Sequence, residues 1–509
     1  MEKNIKIKSA LISVFSKDGL EPIVRLLQKN NVKIFSTGGT YTFIDNLGVD
    51  VEKVEDLTSY PSILGGRVKT LHPKVFGGIL AKREQDHIDQ LNTYDIPEID
   101  LVIVDLYPFE KTVAETDDET AIIEKIDIGG ISLIRAAAKN YKDVAVVPSI
   151  GQYQYLEDLL AVQSGKISLK QRKYLATKAF QISSKYDSAI AAYFQSDSDE
   201  SEFEVKYSDK TSLRYGENPH QNGAFYGPFQ DVFNQLGGKE LSYNNLVDID
   251  AAVQIMAEFK DYPVTFAVLK HTNACGLATE STTLKAWEKA LAGDPISAFG
   301  GILITNGTID IDTAKEINKL FYEVLIAPDF EDEARKLLLS KKKRIVLEIK
   351  DFYRSPKSFK SLLNGVLVQD TDMKIESKDD FNVVTKVSPS DSEKNDLVFA
   401  NKCVKHLKSN TIALVKNGQL IGMGCGQTSR VDALKQAITK AKAFDFDLNG
   451  AVMASDAFFP FSDCVEIASE AGITSVVQPG GSIRDKDSIS FCDEKGMSMV
   501  ITGTRHFKH

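Results

Sequence analysis

From residue 5 to residue 15 the chain is apolar at most positions, then turns polar at Ser16-Lys17-Asp18-Gly19. That pattern predicts a buried strand feeding a helix. The helix follows, with Leu20, Ile23, Val24 and Leu27 at helical spacing. Lys33 to Phe35 predicts a second strand, broken by Ser36-Thr37-Gly38-Gly39-Thr40. Strand, helix, strand with glycine-containing turns is a βαβ unit and implies a parallel sheet. Asp100 to Leu106 and Val144 to Val147 add strands, and Ile131 to Asn140 reads as a helix opened by Gly129 and Gly130. A long helix over 168–194 keeps Leu175, Ala179, Ile182, Tyr186 and Ile190 on one stripe. Gln195 to Glu202 is apolar-free and reads as a linker. It sets the domains at 1–199 and 200–509.

Past residue 260, strands and helices alternate to the end. Val264 to Leu269 is a buried strand by pattern, running into Lys270-His271-Thr272-Asn273. Thr411 to Gly424 holds two apolar runs around Asn417-Gly418, a hairpin signature. Tyr322 to Ile349 and Ile473 to Ile501 read alike: strand, proline, helix, turn, strand. Similar strands precede them at 301–305 and 450–455. Two related α/β lobes, at about 200–380 and 381–509, explain this repeat.

With 43% apolar and 26% charged residues over 509 positions, the chain has material for sizeable cores. A net charge of −10 argues against a nucleic-acid partner. Five scattered Cys without a Cys-x-x-Cys pair indicate neither a disulfide framework nor a zinc ribbon. Lys3, Lys6 and Lys8 precede too short an apolar run for a signal peptide, and no run is long enough to span a membrane. The cytoplasm is the expected compartment.

The candidate chemistry lies in polar breaks after strands, where open α/β sheets place their sites. Lys17 and the Ser36–Thr40 turn offer an ammonium, hydroxyls and backbone N–H groups at helix starts, which suits a phosphate. A plain left-handed turn is the alternative. In Gly65-Gly66-Arg67-Val68-Lys69-Thr70-Leu71-His72-Pro73, Arg67 and Lys69 share a face if the segment is extended, which suits an anion. A solvated basic loop is the alternative. Arg135 and Lys139 are neighbours on one helix face. Lys270 and His271 can supply a proton donor and acceptor side by side, against a solvated lysine and a backbone-bonded histidine. Leu213 to Gln221 is a polar loop-like run. Phe458, Phe459 and Phe461 surround Pro460; three rings cannot all face one core, so at least one lines a cavity for a flat ligand. A hydrophobic corner is the alternative. The tail 503–509 is polar and compact.

Six motifs in order carry a resemblance over essentially the whole chain: Gly65 to Pro73, Asp127-Ile128-Gly129-Gly130, Ala137-Ala138-Lys139-Asn140, Arg214 to Gln221, Lys270-His271-Thr272-Asn273 and Ser455 to Phe461. Together they resemble the bifunctional AICAR transformylase/IMP cyclohydrolase family of purine synthesis. The resemblance implies a methylglyoxal-synthase-like parallel-sheet domain and a duplicated cytidine-deaminase-like α/β region. It implies formyl transfer from 10-formyltetrahydrofolate, a co-substrate, to the 5-amino group of AICAR, then dehydrating closure of formyl-AICAR to IMP. By resemblance His271 is the base, Lys270 the proton shuttle or acid, and Asn273 orients the formyl group. Arg214, Tyr215, Asn410, Arg430 and Arg505 hold AICAR, and Phe458, Phe459, Pro460 and Phe461 form a stacking wall. Lys69, Tyr107, Asp127 and Lys139 match the cyclohydrolase positions. Ser13, Lys17, Ser36, Thr37, Gly38, Gly39, Thr40, Arg67, Thr70, Gly129 and Gly130 surround that substrate and its phosphate. Which of Asp127 and Lys139 gives the proton and which takes it stays open.

The resemblance further implies a homodimer with transformylase sites at the interface; the residues themselves indicate no zinc and leave room for a monovalent cation. Ala274 stands where bacterial members usually carry Pro. His271 and Cys275 do not make a zinc deaminase site, which needs a catalytic Glu and a Cys-x-x-Cys pair that the chain lacks. Two rival readings remain: a sugar-phosphate lyase joined to an inactive lobe, and a nucleotide-binding module without catalysis.

Overall fold

The computed structural model describes residues 4–64, 68–195, 203–205 and 207–509. Two compact units divide the chain, Met1–Glu204 and Val205–His509. The expected boundary at residue 200, and the linker beyond Gln195, lie outside the described residues.

The first unit is built on a parallel sheet of β1 (Ser9–Val14), β2 (Lys33–Ser36), β3 (Glu52–Lys53), β4 (Leu101–Asp105) and β5 (Ala145–Val147). Their order is β3-β2-β1-β4-β5. Helices α1 (Leu20–Lys29), α2 (Gly38–Asn46), α3 (Gly129–Lys139) and α4 (Leu169–Gln195) connect and cover it. Alternate residues of each strand fill two cores. Ala10, Ile12, Leu101 and Ile103 meet α1 on one face. Leu11, Phe35, Val102 and Val104 meet α3 and α4 on the other. Strand order reverses between β1 and β4, so a crevice is expected at their carboxyl ends.

In the second unit one twelve-stranded sheet is made of two copies of the same chain path. The first copy runs β6 (Phe233–Gly237), α5 (Tyr243–Ala257), β7 (Thr265–Lys270), β8 (Asn273–Thr279), α6 (Thr283–Gly293), β9 (Ile302–Thr305), β10 (Val324–Ala327) and β11 (Ile345–Ile349). The second runs β12 (Asn382–Val383), α7 (Asp391–His406), β13 (Ile412–Lys416), β14 (Gln419–Gly424), α8 (Arg430–Ala443), β15 (Val452–Ser455), β16 (Ser475–Gln478) and β17 (Ser498–Ile501). The order β6-β11-β10-β9-β7-β8-β14-β13-β15-β16-β17-β12 reads as one copy facing the other, joined where β8 and β14 pair antiparallel with Ala278 opposite Gln419. The α/β repeat expected from 322–349 and 473–501 is this duplication. Packing repeats too. A Cβ on Gly276 of β8 would fall 1.8 Å from the Ala290 carbonyl oxygen of α6, and one on Gly422 of β14 2.4 Å from that of Ala437 in α8. Only glycine lets each helix lie that close to its hairpin.

Helices α5 and α7 share one core beneath the sheet, while α6 and α8 each pack a separate core on the other face. Between the copies, Lys357–Leu362 and Gly365–Asp370 form a hairpin that pairs with no other described strand. Its tip residue Leu363 is 97% exposed and Leu367 63%. No described helix is long and apolar enough to cross a membrane.

Candidate functional sites

A cavity of about 930 Å³ opens at the carboxyl ends of β1 and β4. Ser13, Lys17, Thr37, Gly38, Gly39, Thr40, Lys69, Thr70, Tyr107, Asp127, Gly129 and Gly130 line it. At one part of its wall, two ammonium groups converge on the start of α2. A Cβ on Gly38 would lie 3.2 Å from Lys69 Nζ, and one on Gly39 3.9 Å from Lys17 Nζ. Thr37 at the N-cap makes no side-chain cap bond, so the first N–H groups of α2 point to this space. Two cations above a helix N-terminus form an anion cradle. Lys17 Nζ donates to the Val14 and Phe15 carbonyls at 2.9 and 2.7 Å. Burial lowers its pKa, and Asp105 opposes that shift.

Carboxyls complete the wall. Asp127 precedes α3 and accepts the Gly130 N–H at 2.6 Å. Burial raises its pKa despite the backbone donors around it, and Asp105 adds to the rise. Asp105 ends β4 and accepts the Ser16 N–H at 3.0 Å, and burial raises its pKa as well. The sequence reading missed Asp105, although it closes a strand that the pattern had found.

Two of the expected residues do not line this cavity. Ser36 is fully buried, and its hydroxyl donates to Ile12 O at 2.8 Å, pinning β2 to β1. Lys139 is the exposed last residue of α3, whereas Asp127 and the glycines stand at its first turn. Eleven helical residues span about 15 Å, so Lys139 stands at the far end of the helix from Asp127. Sequence adjacency on α3 hid which end faces the cavity; Arg135 turns to α4 and donates to Ser183 at 3.1 Å. Arg67 lies outside the described residues. Thr40 does line the cavity, but its hydroxyl bonds both the N–H and the carbonyl of Val14.

In the second unit, Lys270, His271 and Asn273 meet at one tight turn. The strand end read from the pattern is the turn of a hairpin, because β8 begins at Asn273 and pairs antiparallel with β7. His271 and Thr272 have φ of 49° and 65°. Two left-handed residues suit the right-handed twist of a hairpin, but the usual occupants are Asn and Gly. The turn is held by Thr272 N–H to Asp248 Oδ1 at 2.9 Å, Thr272 Oγ1 to His271 O at 2.6 Å and Asn273 Nδ2 to His271 O at 2.9 Å. The His271 ring is exposed. Lys270 Nζ donates to Phe299 O at 2.5 Å, beside Gly300, where φ is 69° and a Cβ would crowd that ammonium at 3.2 Å. Burial raises the pKa of Asp248, and His271 and Lys270 pull it down.

Asn273 also reaches the second copy, accepting from Cys425 Sγ at 3.5 Å. Beyond Cys425, Asn410 donates from Nδ2 to Gln427 O at 3.0 Å. Arg430 donates to Ser455 Oγ and Asp456 Oδ1, both at 3.2 Å. Arg430 and Arg505 lie over the Phe507 ring at 5.8 and 4.4 Å. Arg214 stacks on Tyr215 at 4.6 Å and donates to its hydroxyl at 2.7 Å. Their loop is tied to α5 by Asn244 Nδ2 to Glu217 O at 3.2 Å. Phe458, Pro460 and Phe461 are exposed, but Phe459 is fully buried in the second copy's core. That corrects its place in a stacking wall. Beneath the tail, His506 is buried between Asp372 at 2.6 Å and Glu376 at 2.9 Å. Burial works against its charged form, yet the two carboxylates prevail and raise its pKa to about 9. Among the described residues no cluster of three or more His, Cys, Asp or Glu is arranged to hold a metal ion.

Two family profiles match successive parts of the chain. The profile of the AICARFT/IMPCHase bienzyme family matches residues 137–440, and that of the MGS-like domain matches 19–132. The bifunctional purine biosynthesis protein PurH of Bacteroides thetaiotaomicron is 59% identical over all of both chains. That of Chlorobium chlorochromatii is 45% identical over 99% of each. Among solved structures, one described as ForH is 34% identical over 37% of this chain and 99% of its own, at a TM-score of 0.33, too low to bear on the fold.

Proposed function

The chain belongs to the bifunctional AICAR transformylase/IMP cyclohydrolase family, and we propose that the hairpin turn of the second unit and the cavity of the first divide its two reactions. The enzyme transfers a formyl group from 10-formyltetrahydrofolate to AICAR and then closes formyl-AICAR to IMP with loss of water. The observation that carries the assignment is the turn itself. It thrusts an exposed His271 outward next to Lys270, whose ammonium is already oriented by Phe299 O.

The AICAR amine is conjugated with its ring and is a weak nucleophile. His271 removes its proton as it attacks the formyl carbon, and Lys270 delivers a proton to the departing folate nitrogen. Positioned proton transfers of this kind contribute about 10²–10⁴-fold each. Arg214, Arg430 and Arg505 supply the charge for a phosphate and a carboxamide, and Phe458 and Phe461 supply exposed ring faces for a flat ligand.

Ring closure joins the carboxamide nitrogen to the formyl carbon. Asp127, half-buried at the mouth of α3, exchanges the protons, and Lys17, Lys69 and the start of α2 take the phosphate. A volume near 930 Å³ is ample for a nucleotide-sized ligand.

The hairpin over 357–370 supports a homodimer: an isolated two-stranded ribbon is marginal in water, and a second copy would cover its apolar side chains. A monovalent cation fits one atom by its chemistry, since Asp456 Oδ2 is buried without a hydrogen-bond partner. The free thiols of all five Cys suit the reducing cytoplasm.

Incubating the protein with AICAR and 10-formyltetrahydrofolate tests the reading: IMP should accumulate. Turnover of a triose phosphate with none of AICAR would point to a lyase, and AICAR binding without formyl transfer to a non-catalytic module.

A further inference from the structure

We infer that Asp248 is a positioning residue for formyl transfer: by accepting the Thr272 N–H, its carboxylate holds the His271 turn in the conformation the reaction uses. The inference rests on the assignment of His271 as the base. Its support is the internal duplication. Asp248 is the sixth residue of α5, and Asp396 is the sixth of α7. Asp396 accepts the N–H groups of Asn417 and Gly418 at 2.8 and 2.7 Å, and these two residues are the turn of the other hairpin. Both copies therefore cap the hairpin turn with a carboxylate from the preceding helix.

The copies differ in what is capped. Asn417-Gly418, at φ of 55° and 67°, is the pair that this turn favours unaided. His271-Thr272 is not, and a β-branched residue at positive φ is costly. In the first copy the cap opposes an intrinsic preference of the residues it holds, and one of them carries the imidazole. The other two bonds of the turn, from Thr272 Oγ1 and Asn273 Nδ2, arise within the hairpin. Asp248 is the tie to α5. One helical turn earlier on the same face, Asn244 holds the loop of Arg214 and Tyr215 through Glu217 O. Helix α5 thus fixes the anion-binding loop and the base relative to each other. Lys270, anchored on Phe299 O, is held independently.

The test is steady-state kinetics on the full-length enzyme. A displacement near 1 Å costs on the order of 100-fold, so Asp248→Ala should lose about that factor in kcat while the KM for AICAR moves less than about threefold. Asp248→Asn keeps an acceptor oxygen and should lose less than about tenfold. Thr272→Gly removes the strain and should recover part of the loss in the Asp248→Ala background. Cyclisation of supplied formyl-AICAR should be unaffected in all three. The inference is overturned if Asp248→Ala keeps its kcat, if Asp248→Asn falls as far as Asp248→Ala, or if both activities fall together. His271→Ala is run alongside. If it stays active, the base assignment fails; if it is dead while Asp248→Ala is active, only the positioning role fails.

Discussion

His271 and Phe459 show how little a residue's type settles until its surroundings are known. An exposed imidazole on a left-handed turn is available for chemistry, whereas a phenylalanine inside a motif of phenylalanines is core. The ring count at 458–461 did signal that the three could not share one environment, and the structure divides them. Phe459→Ala should therefore cost about 3–5 kcal/mol of stability, read by denaturant unfolding. Phe458→Ala should leave stability within about 0.5 kcal/mol and raise the KM for AICAR or folate. Equal destabilisation by both would contradict the division. For Asp127 the relevant property is protonation. Burial raises its pKa, so as a base it ionises at a higher pH than an exposed carboxylate does. The acid limb of kcat/KM for cyclisation should sit correspondingly high, and Asp127→Asn should abolish that limb and lose about 10²–10⁴-fold. A limb left in place by the substitution would assign it to another group.

At the scale of elements, the pattern of apolar positions located four of the five strands of the first unit's parallel sheet and the inner strands of both halves of the duplicated sheet, but not the short edge strands at 52–53, 233–237 and 382–383. Period-2 alternation and glycine-marked turns are local properties, and local properties are what a sequence displays. The hairpin at 270–273 escaped because neither His271 nor Thr272 is a turn former; a tertiary bond from Asp248 supplies what the residues do not. Its counterpart at Asn417-Gly418 was legible at once. The distance of Lys139 from the cavity was not legible for a related reason: helical spacing reveals which residues share a face but not which end meets a cavity. The 357–370 hairpin was not anticipated, since its strands have apolar residues but no core to fill. If the proposed homodimer uses this ribbon, replacing 358–369 by a short Gly-Ser turn should leave a monomer where the intact chain sediments as a dimer, and depress formyl transfer, with cyclisation retained. A dimer that survives the replacement would remove this element from the interface.

Across the whole molecule, the C-terminal tail is fastened to the segment that follows the exposed hairpin. His506 sits between Asp372 and Glu376, and its pKa rises from 6.5 to about 9, a shift worth on the order of 3 kcal/mol. A group with a raised folded pKa stabilises fully below its unfolded value and loses that contribution as pH climbs. The Tm advantage of the wild type over His506→Asn should thus be largest below about pH 6.5 and shrink toward pH 9. A gap constant with pH would mean that the charge on His506 plays no part. Arg505 adjoins this lock, so the tail's attachment and the patch over Phe507 stand or fall together.

The central claim is that one chain performs two reactions at two separate places. The most direct measurement supplies each substrate separately to His271→Ala and Asp127→Asn and follows formyl transfer and cyclisation in both. The account predicts a crossed result: His271→Ala loses formyl transfer but still closes supplied formyl-AICAR, and Asp127→Asn formylates AICAR but does not close the product. Loss of both reactions in either folded variant, or survival of formyl transfer without His271, would contradict it.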